Sequence, residues 1–367
     1  MTESLSGGAR KFYTLDLMRG LAALAVVSFH LRPLLGAAAF KEGYLAVDLF
    51  FMMSGVVIDY SYRARLLDQM STGQFLVKRL IRLSPLNVFA LLIGTVIASL
   101  GILVGTGNWS VMTLAIGVVA AILFIPIPIQ TVSGNAFPLN PPTWSLSLEI
   151  FINIIYAVCA RFLSTTVLRI VVFVSGAVLI SVALQHGDLD SGFLRNDFYY
   201  GFPRVLFGFT VGVLIARSPL MTLQRVSSGF HETIIVVALL TALYFPLGAE
   251  FSRGLWDSMC VVLLFPLLTA MSVVYNPPSW LRSTSSFLGL TSYAVYIVHG
   301  PLLLAINKGF EKFPILGKFS MISEIMVFAL LLVLGFLLDT LFDTPVRRKL
   351  TGWLSRLEPG SKRPVAP

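Results

Sequence analysis

Apolar residues run along this chain in blocks near twenty long, at 15–33, 44–62, 83–105, 111–129, 144–161, 169–185, 201–217, 232–247, 254–275, 287–307 and 321–342, with short polar connections between them. Each block approaches the ~20 residues that carry an α-helix across about 30 Å of hydrocarbon. Helices are the expected form, because a helix satisfies its backbone hydrogen bonds within one segment and lipid offers none. The pattern predicts an all-α polytopic membrane protein. The longest polar connections are about twenty residues, too short for a soluble domain. One transmembrane unit over 15–342 is therefore expected, preceded by a segment at 1–14 and followed by a basic tail at 343–367.

Composition supports that class and charge refines it. Hydrophobic residues make up 56% of the chain and charged ones 12%, far from the balance of an ordinary globular protein. The net charge of +9 sits in short Lys/Arg clusters between apolar blocks, which is how topology is written and not how nucleic-acid binding looks. If all eleven blocks cross, with the N-terminus inside, the two sides carry 12 and 13 basic residues. If 111–129 instead stays on the outer side as a re-entrant or interfacial excursion, the count becomes 18 inside against 7 outside, with Arg19 and Arg204 within spans. The positive-inside rule selects this arrangement: ten spans and both termini cytoplasmic. Pro126, Pro128, Gly134 and the prolines at 138–142 supply helix breakers for such an excursion. Cys159 and Cys260 lie singly in apolar blocks, so they read as small core residues. No His, Cys or carboxylate cluster has metal-ligand spacing, so no metal is expected.

Ionisable residues inside spans carry the candidate chemistry, since hydrocarbon tolerates them only when paired, hydrated or functional. Arg19 and His30 share the first block, about 17 Å apart along a helix. Treated as a hairpin, the first two blocks put His30 level with Asp48 and Arg19 level with Asp59. A carboxylate beside His30 would fix its tautomer and raise its basicity, as a general base acting on a hydroxyl requires. The other reading is an interfacial imidazole hydrogen-bonded to backbone. Arg19 with Asp59 reads as an ion pair. Arg63, Arg65, Lys78, Arg79 and Arg82 form the densest basic segment, and the spacing of Arg79 and Arg82 places both on one helix face, ready to fork onto phosphates. Glu149, five residues past Trp144, is expected at a depth comparable with His30, where it could bind acceptor hydroxyls, support His30 or make a buried helix-to-helix hydrogen bond; Trp144 is either an interfacial anchor or a sugar-stacking platform. Arg204 pairs with Asp197 or meets an anionic acceptor. Ser54, Arg19 or a backbone amide near Gly55 could stabilise an oxyanion.

These residues resemble the membrane-bound acyltransferase 3 family, which O-acylates surface polysaccharides and other glycans. The resemblance rests on Leu15-Asp16-Leu17-Met18-Arg19-Gly20 with His30 downstream, Val47-Asp48-Leu49-Phe50-Phe51-Met52-Met53-Ser54-Gly55, and Arg79-Leu80-Ile81-Arg82-Leu83-Ser84-Pro85. It continues at Trp144 to Glu149, at Arg204 to Gly212, at Ser292 to His299, and at Asp343-Thr344-Pro345, where the family more often has Glu in place of Asp343.

The resemblance implies transfer of an acyl group, with acetyl the leading choice, from cytoplasmic acyl-coenzyme A to a hydroxyl of a carbohydrate or lipid-linked glycan outside. His30, Asp48 and Arg19 are then the catalytic candidates, Arg79, Arg82 and Ser54 the coenzyme-binding ones, and Glu149, Trp144, Arg204 and His299 the acceptor-side ones. His299 is expected in its place without a fixed role, a structural hydrogen bond being the plainer reading. Membrane lipids, the coenzyme and the glycan are the implied partners, a homo-oligomer is compatible, and a bacterial inner membrane is the implied home. Two other classes remain open from the residues alone: a transporter or flippase for an anionic or lipid-linked solute, and a membrane sensor.

Overall fold

The computed structural model describes residues 10–32, 39–105, 109–131, 133–244, 252–312 and 320–357. The expected segments at 1–14 and 343–367 fall partly outside them. The described chain is a helical bundle. Its helices are α1 (Tyr13–His30), α2 (Ala46–Asp68, entered through a 3-10 turn at Gly43–Leu45), α3 (Thr72–Val104), α4 (Val111–Ile122), α5 (Thr143–Cys159), α6 (Thr165–His186), α7 (Gly201–Ala216), α8 (Gly229–Tyr244), α9 (Arg253–Val274), α10 (Ser279–Lys312), α11 (Ser320–Leu338) and α12 (Thr344–Leu357). Seven helical stretches are long and apolar enough to cross a membrane, and three more are apolar but shorter. The sequence read only a tail after Phe342; most of it that is described forms the basic helix α12, entered through a π-helical turn at Asp339–Asp343.

Local signals set the helix ends. Ser71 starts α3 with a reciprocal capping box: its hydroxyl accepts from Gln74 N–H at 3.2 Å while the Gln74 side chain accepts from Ser71 N–H at 2.9 Å. Gly105 stops the helix in the left-handed conformation at φ 71°, which a residue without Cβ adopts freely. Helix α4 is only 12 residues, a rise of about 18 Å against the ~30 Å of hydrocarbon. Its Gly117 faces Trp109 before the helix and both Ile127 and Leu139 after it.

Contacts between connections define two ends of the bundle. At one end Arg10 donates to the carbonyls of Met221 and Val273, Thr14 to Glu232, and Val226–Ser227 pairs in parallel with Tyr275–Asn276. At the other, Ala136 N–H donates to Phe193 C=O, Arg195 N–H to Gly134 C=O, and Glu42 N–H to Leu243 C=O.

Helix pairs touch backbone to backbone where glycine permits it and any Cβ would forbid it, and two such pairs frame the site. On α2 and α7, a Cβ at Gly55 would strike the Phe209 carbonyl and one at Gly212 the Met52 carbonyl. On α1 and α10, a Cβ at Gly20 would strike Leu288 and one at Gly289 the Asp16 side chain.

The α2–α7 contact corrects the expected pairing of Asp48. Asp48 does not meet His30: its carboxylate takes a bidentate fork from Arg204, Nε to Oδ1 at 3.0 Å and Nη2 to Oδ2 at 2.6 Å. Arg204 also donates to the carbonyls of Ser191 at 2.7 Å and Tyr44 at 3.1 Å, and its guanidinium lies 5.4 Å from the Trp144 ring. Asp48 and Arg204 are 0% and 2% exposed. The hairpin alignment fixed depth but not rotation, and a fully buried carboxylate is better satisfied by a guanidinium fork than by a single imidazole. The Arg19–Asp59 pairing fails for the same reason. Asp59 is held by Arg217 at 2.7 and 2.9 Å and by Tyr156 at 2.8 Å, while Arg19 binds Asp16 at 2.9 Å, Ser292 at 2.9 Å and Gly289 C=O at 2.8 Å.

Breaking the buried pair leaves an uncompensated charge. Arg204→Met alone should destabilise the detergent-solubilised protein by about 3–5 kcal/mol, read as a lowered thermal unfolding midpoint. The double variant Asp48→Leu, Arg204→Met should recover most of that loss.

Candidate active site

Five helices enclose a cavity of about 180 Å³. Arg19 enters from α1, Ser54 from α2, Arg79 and Arg82 from α3, Ser145 and Glu149 from α5, and Ser292, Tyr293 and Tyr296 from α10. Apolar side chains, among them Phe50, Phe51 and Leu146, complete the wall. Three guanidiniums thus face one cavity carboxylate, and the chamber attracts anions.

Arg79 and Arg82 reach it together because a spacing of three puts both on one face of α3, as the sequence predicts. Arg79 Nη2 pairs with Glu149 Oε1 at 2.6 Å, and the Ser54 hydroxyl donates to the same oxygen at 2.9 Å. Arg82 lies 3.6 Å from Asp343 and 4.9 Å from the centre of the Tyr293 ring. Among the described residues Arg79 Nε has no hydrogen-bond partner, and Arg82 Nη1 has only the longer ion-pair contact with Asp343. Cationic donors so loosely engaged beside a cavity are what a phosphate fork would use.

Several expected site residues lie elsewhere. Glu149 lies beside Ser54 and Arg79 in the cavity and not against His30, making the hydrogen bonds between helices that were its plainer reading. Arg204 meets neither Asp197 nor the cavity; Asp197 instead caps the backbone N–H groups of Gly192 and Leu194. Trp144 is buried against Arg204 and is neither a cavity wall nor an exposed stacking face.

His30 ends α1 with its side chain exposed. Its Nδ1 lies 2.9 Å from the carbonyl oxygen of Val26. A carbonyl only accepts, so Nδ1 carries the proton and Nε2 keeps its lone pair. The tautomer of a base is thus fixed by backbone, the role the sequence reading gave to Asp48. The ring centre of His299 is 5.0 Å away. His299 is fully buried and joins His30 to the cavity through Tyr296, whose carbonyl lies 2.6 Å from His299 Nδ1 and whose hydroxyl shares a 2.7 Å hydrogen bond with Ser145.

Sequence reasoning assigned no role to Ser145, Ser292, Tyr293 or Tyr296. Ser292, Tyr296 and His299 follow an i, i+4, i+7 spacing, a polar stripe that one-face periodicity could have revealed. Among the described residues, no three His, Cys, Asp or Glu side chains gather where they could hold a metal ion.

Near His30 the connection at 187–197 closes over the bundle end, where Arg32 lies 3.8 Å from Asp190. Burial pushes the Asp190 carboxyl up to about 6, against the pull of Arg32.

Residues 12–342 match the family described as acyltransferase domain. The chain is similar to protein 2 in the picA locus of Rhizobium radiobacter, 34% identical over 189 residues that cover 48% of this chain and 96% of that one. It is similar to a Komagataeibacter xylinus protein provisionally named membrane-bound transacylase BcsY, 26% identical over 80% of this chain and 73% of that one. It is also similar to the O-acetyltransferase OatA of Staphylococcus aureus, 23% identical over 91% of this chain and 57% of OatA. No solved structure matches.

The raised Asp190 carboxyl has a consequence for stability. The folded chain holds a proton there that the unfolded chain, at the ordinary 3.8, has released, so this group's contribution falls as pH rises from about 4 to about 6. Asp190→Asn should flatten that slope in thermal melts recorded across the window, and an unchanged slope would place its origin elsewhere.

Proposed function

The chain belongs to the acyltransferase family whose domain spans residues 12–342, and on that premise we propose that it is an integral membrane O-acyltransferase moving an acyl group, acetyl in the first instance, from acyl-coenzyme A to a carbohydrate hydroxyl across a bacterial inner membrane. The observation that carries this reading is the cavity ringed by Arg19, Arg79 and Arg82 and joined through Tyr296 and His299 to His30. A donor with phosphates at one end and a thioester on a long neutral arm suits that layout. Arg19 and His30 are about 17 Å apart along α1, of the order of an extended pantetheine arm.

In this scheme the coenzyme's phosphates engage Arg79, Arg82 and Arg19, with Glu149 and Ser54 orienting Arg79. The ten-span arrangement puts these arginines toward the cytoplasm and His30 toward the outside, with both termini inside. The basic excess on one side and the short α4 on the other support it. The acceptor hydroxyl then approaches His30 from the exterior.

The chemistry needs one base. Nε2 of His30 takes the hydroxyl proton as the oxygen attacks the thioester carbonyl, the C–O bond forms and the C–S bond breaks, and the departing thiolate recovers the proton from His30 as free coenzyme A thiol. Asp48 plays no part in orienting that base. A hydroxyl acceptor is favoured because OatA is named an O-acetyltransferase, and a glycan is the hydroxyl-bearing acceptor that the family resemblance implies. The same reading takes 15–342 as the catalytic unit and the residues from 343 onward as a basic cytoplasmic appendage.

Purified protein, acetyl-coenzyme A and extracted surface glycans should give ester and free thiol only when both substrates are present. His30→Ala should lower that turnover at least 100-fold, the smaller end of what a general base contributes; native-like turnover in this variant would refute the assignment. The pair Arg79→Ala, Arg82→Ala should weaken equilibrium binding of coenzyme A at least tenfold, with that affinity falling further as salt is raised.

A further inference from the structure

The two nitrogens of His299 have unequal surroundings. Nδ1 lies 2.6 Å from the Tyr296 carbonyl on its own helix, so Nδ1 carries the proton and Nε2 holds a lone pair. That Nε2 is buried and has no hydrogen-bond partner among the described residues. A buried acceptor without a donor is costly and calls for an explanation. Because Nδ1 is turned back onto the Tyr296 carbonyl, Nε2 is turned away from that carbonyl, and the ring of His30 lies 5.0 Å off at an interplanar angle of 53°.

His30 is built the same way. With its Nδ1–H spent on the Val26 carbonyl, its Nε2 is also a bare lone pair, and two lone pairs have nothing to exchange while both rings are neutral. Protonation of His30 changes this: the ring becomes a cation and its Nε2–H a donor. The orphaned lone pair of His299, the negative end of that ring's dipole, then has something to act on.

We infer that His299 is a positioning residue for acyl transfer, presenting its unprotonated Nε2 to His30 so that the imidazolium formed when the acceptor hydroxyl loses its proton is stabilised. This rests on the reading of His30 as the base. The proton goes from hydroxyl to His30 Nε2 and on to the leaving thiolate; His299 neither gains nor loses one. The other charged groups about His30 are Arg32, just beyond it in sequence, and Asp190 from the 187–197 connection, which is paired with Arg32; His299 is the contribution from α10.

The test is a set of pH–rate profiles on the full chain in detergent or vesicles, with acetyl-coenzyme A as donor. His299→Phe should lower kcat about tenfold or more with donor KM unchanged, and should move the acid limb of the profile to lower pH. Removing a group that favours the protonated form makes His30 a weaker base. His299→Gln, which keeps an acceptor oxygen, should hold the limb near its native place. A purely structural role would lower folded yield or kcat while leaving the limb where it was, and that result would overturn the inference while His30→Ala remains inactive. An active His30→Ala would overturn the underlying reading as well. Should His299→Phe fail to fold, nitrogen-15 imidazole spectra of the unsubstituted chain decide the point. It has four histidines. Nδ1-protonated His299 whose Nε2 resonance shifts as His30 titrates is expected, and an Nε2-protonated His299 would overturn the inference.

Discussion

A charge inside an apolar bundle must find its opposite, and that requirement organises this molecule. Three carboxylates within its helices reach across to guanidiniums on other elements: Asp48 to Arg204, Asp59 to Arg217, Glu149 to Arg79. Each pair names two helices that must be neighbours at a given depth and rotation, which apolar packing alone specifies poorly. Among polar constraints in hydrocarbon, complementary forks are the most selective. The glycine contacts of α2 with α7 and of α1 with α10 then let the paired helices come close enough for the forks to close.

Three of the cationic groups share one cavity, whose walls hold a single carboxylate, Glu149. Arg79 spends one terminal nitrogen on Glu149, while Arg82 is held loosely by Asp343 and Arg19 binds Asp16, both outside the cavity wall. The same pairing rule that fixes the bundle therefore marks the site, as the place where guanidiniums outnumber the carboxylate between them. His30 stands apart from that cluster, and its tautomer is held by a carbonyl one turn back on its own helix.

The sequence made the class, the helix blocks and most of the chemistry-bearing residues visible, because period, length and charge placement are one-dimensional properties. Arg79 and Arg82 fall on one face as their spacing requires. What it could not supply was rotation. A hairpin register puts His30 level with Asp48, yet Asp48 faces α7, and no feature of residues 15–62 records which side of α2 looks at which neighbour. Glu149 and Trp144 were displaced for the same reason: their expected depth came from a topology count, while their partners came from a three-dimensional arrangement. Tyr296 carried a legible signal in its polar stripe but no chemical motif to single it out.

The hydrogen bond between Ser145 and Tyr296, backed by the ring of Phe50, stands between the cationic cavity and the exposed imidazole of His30. Where water reaches in from both faces, the membrane voltage drops across such a septum and not across the whole bilayer. Each elementary charge carried through it would then do or absorb about 2.3 kcal/mol of electrical work per 100 mV, whereas an uncharged chain would slip through without feeling the field. For a donor of the kind proposed above, the septum would in that sense be an electrical sieve, passing an arm and detaining the phosphates behind it.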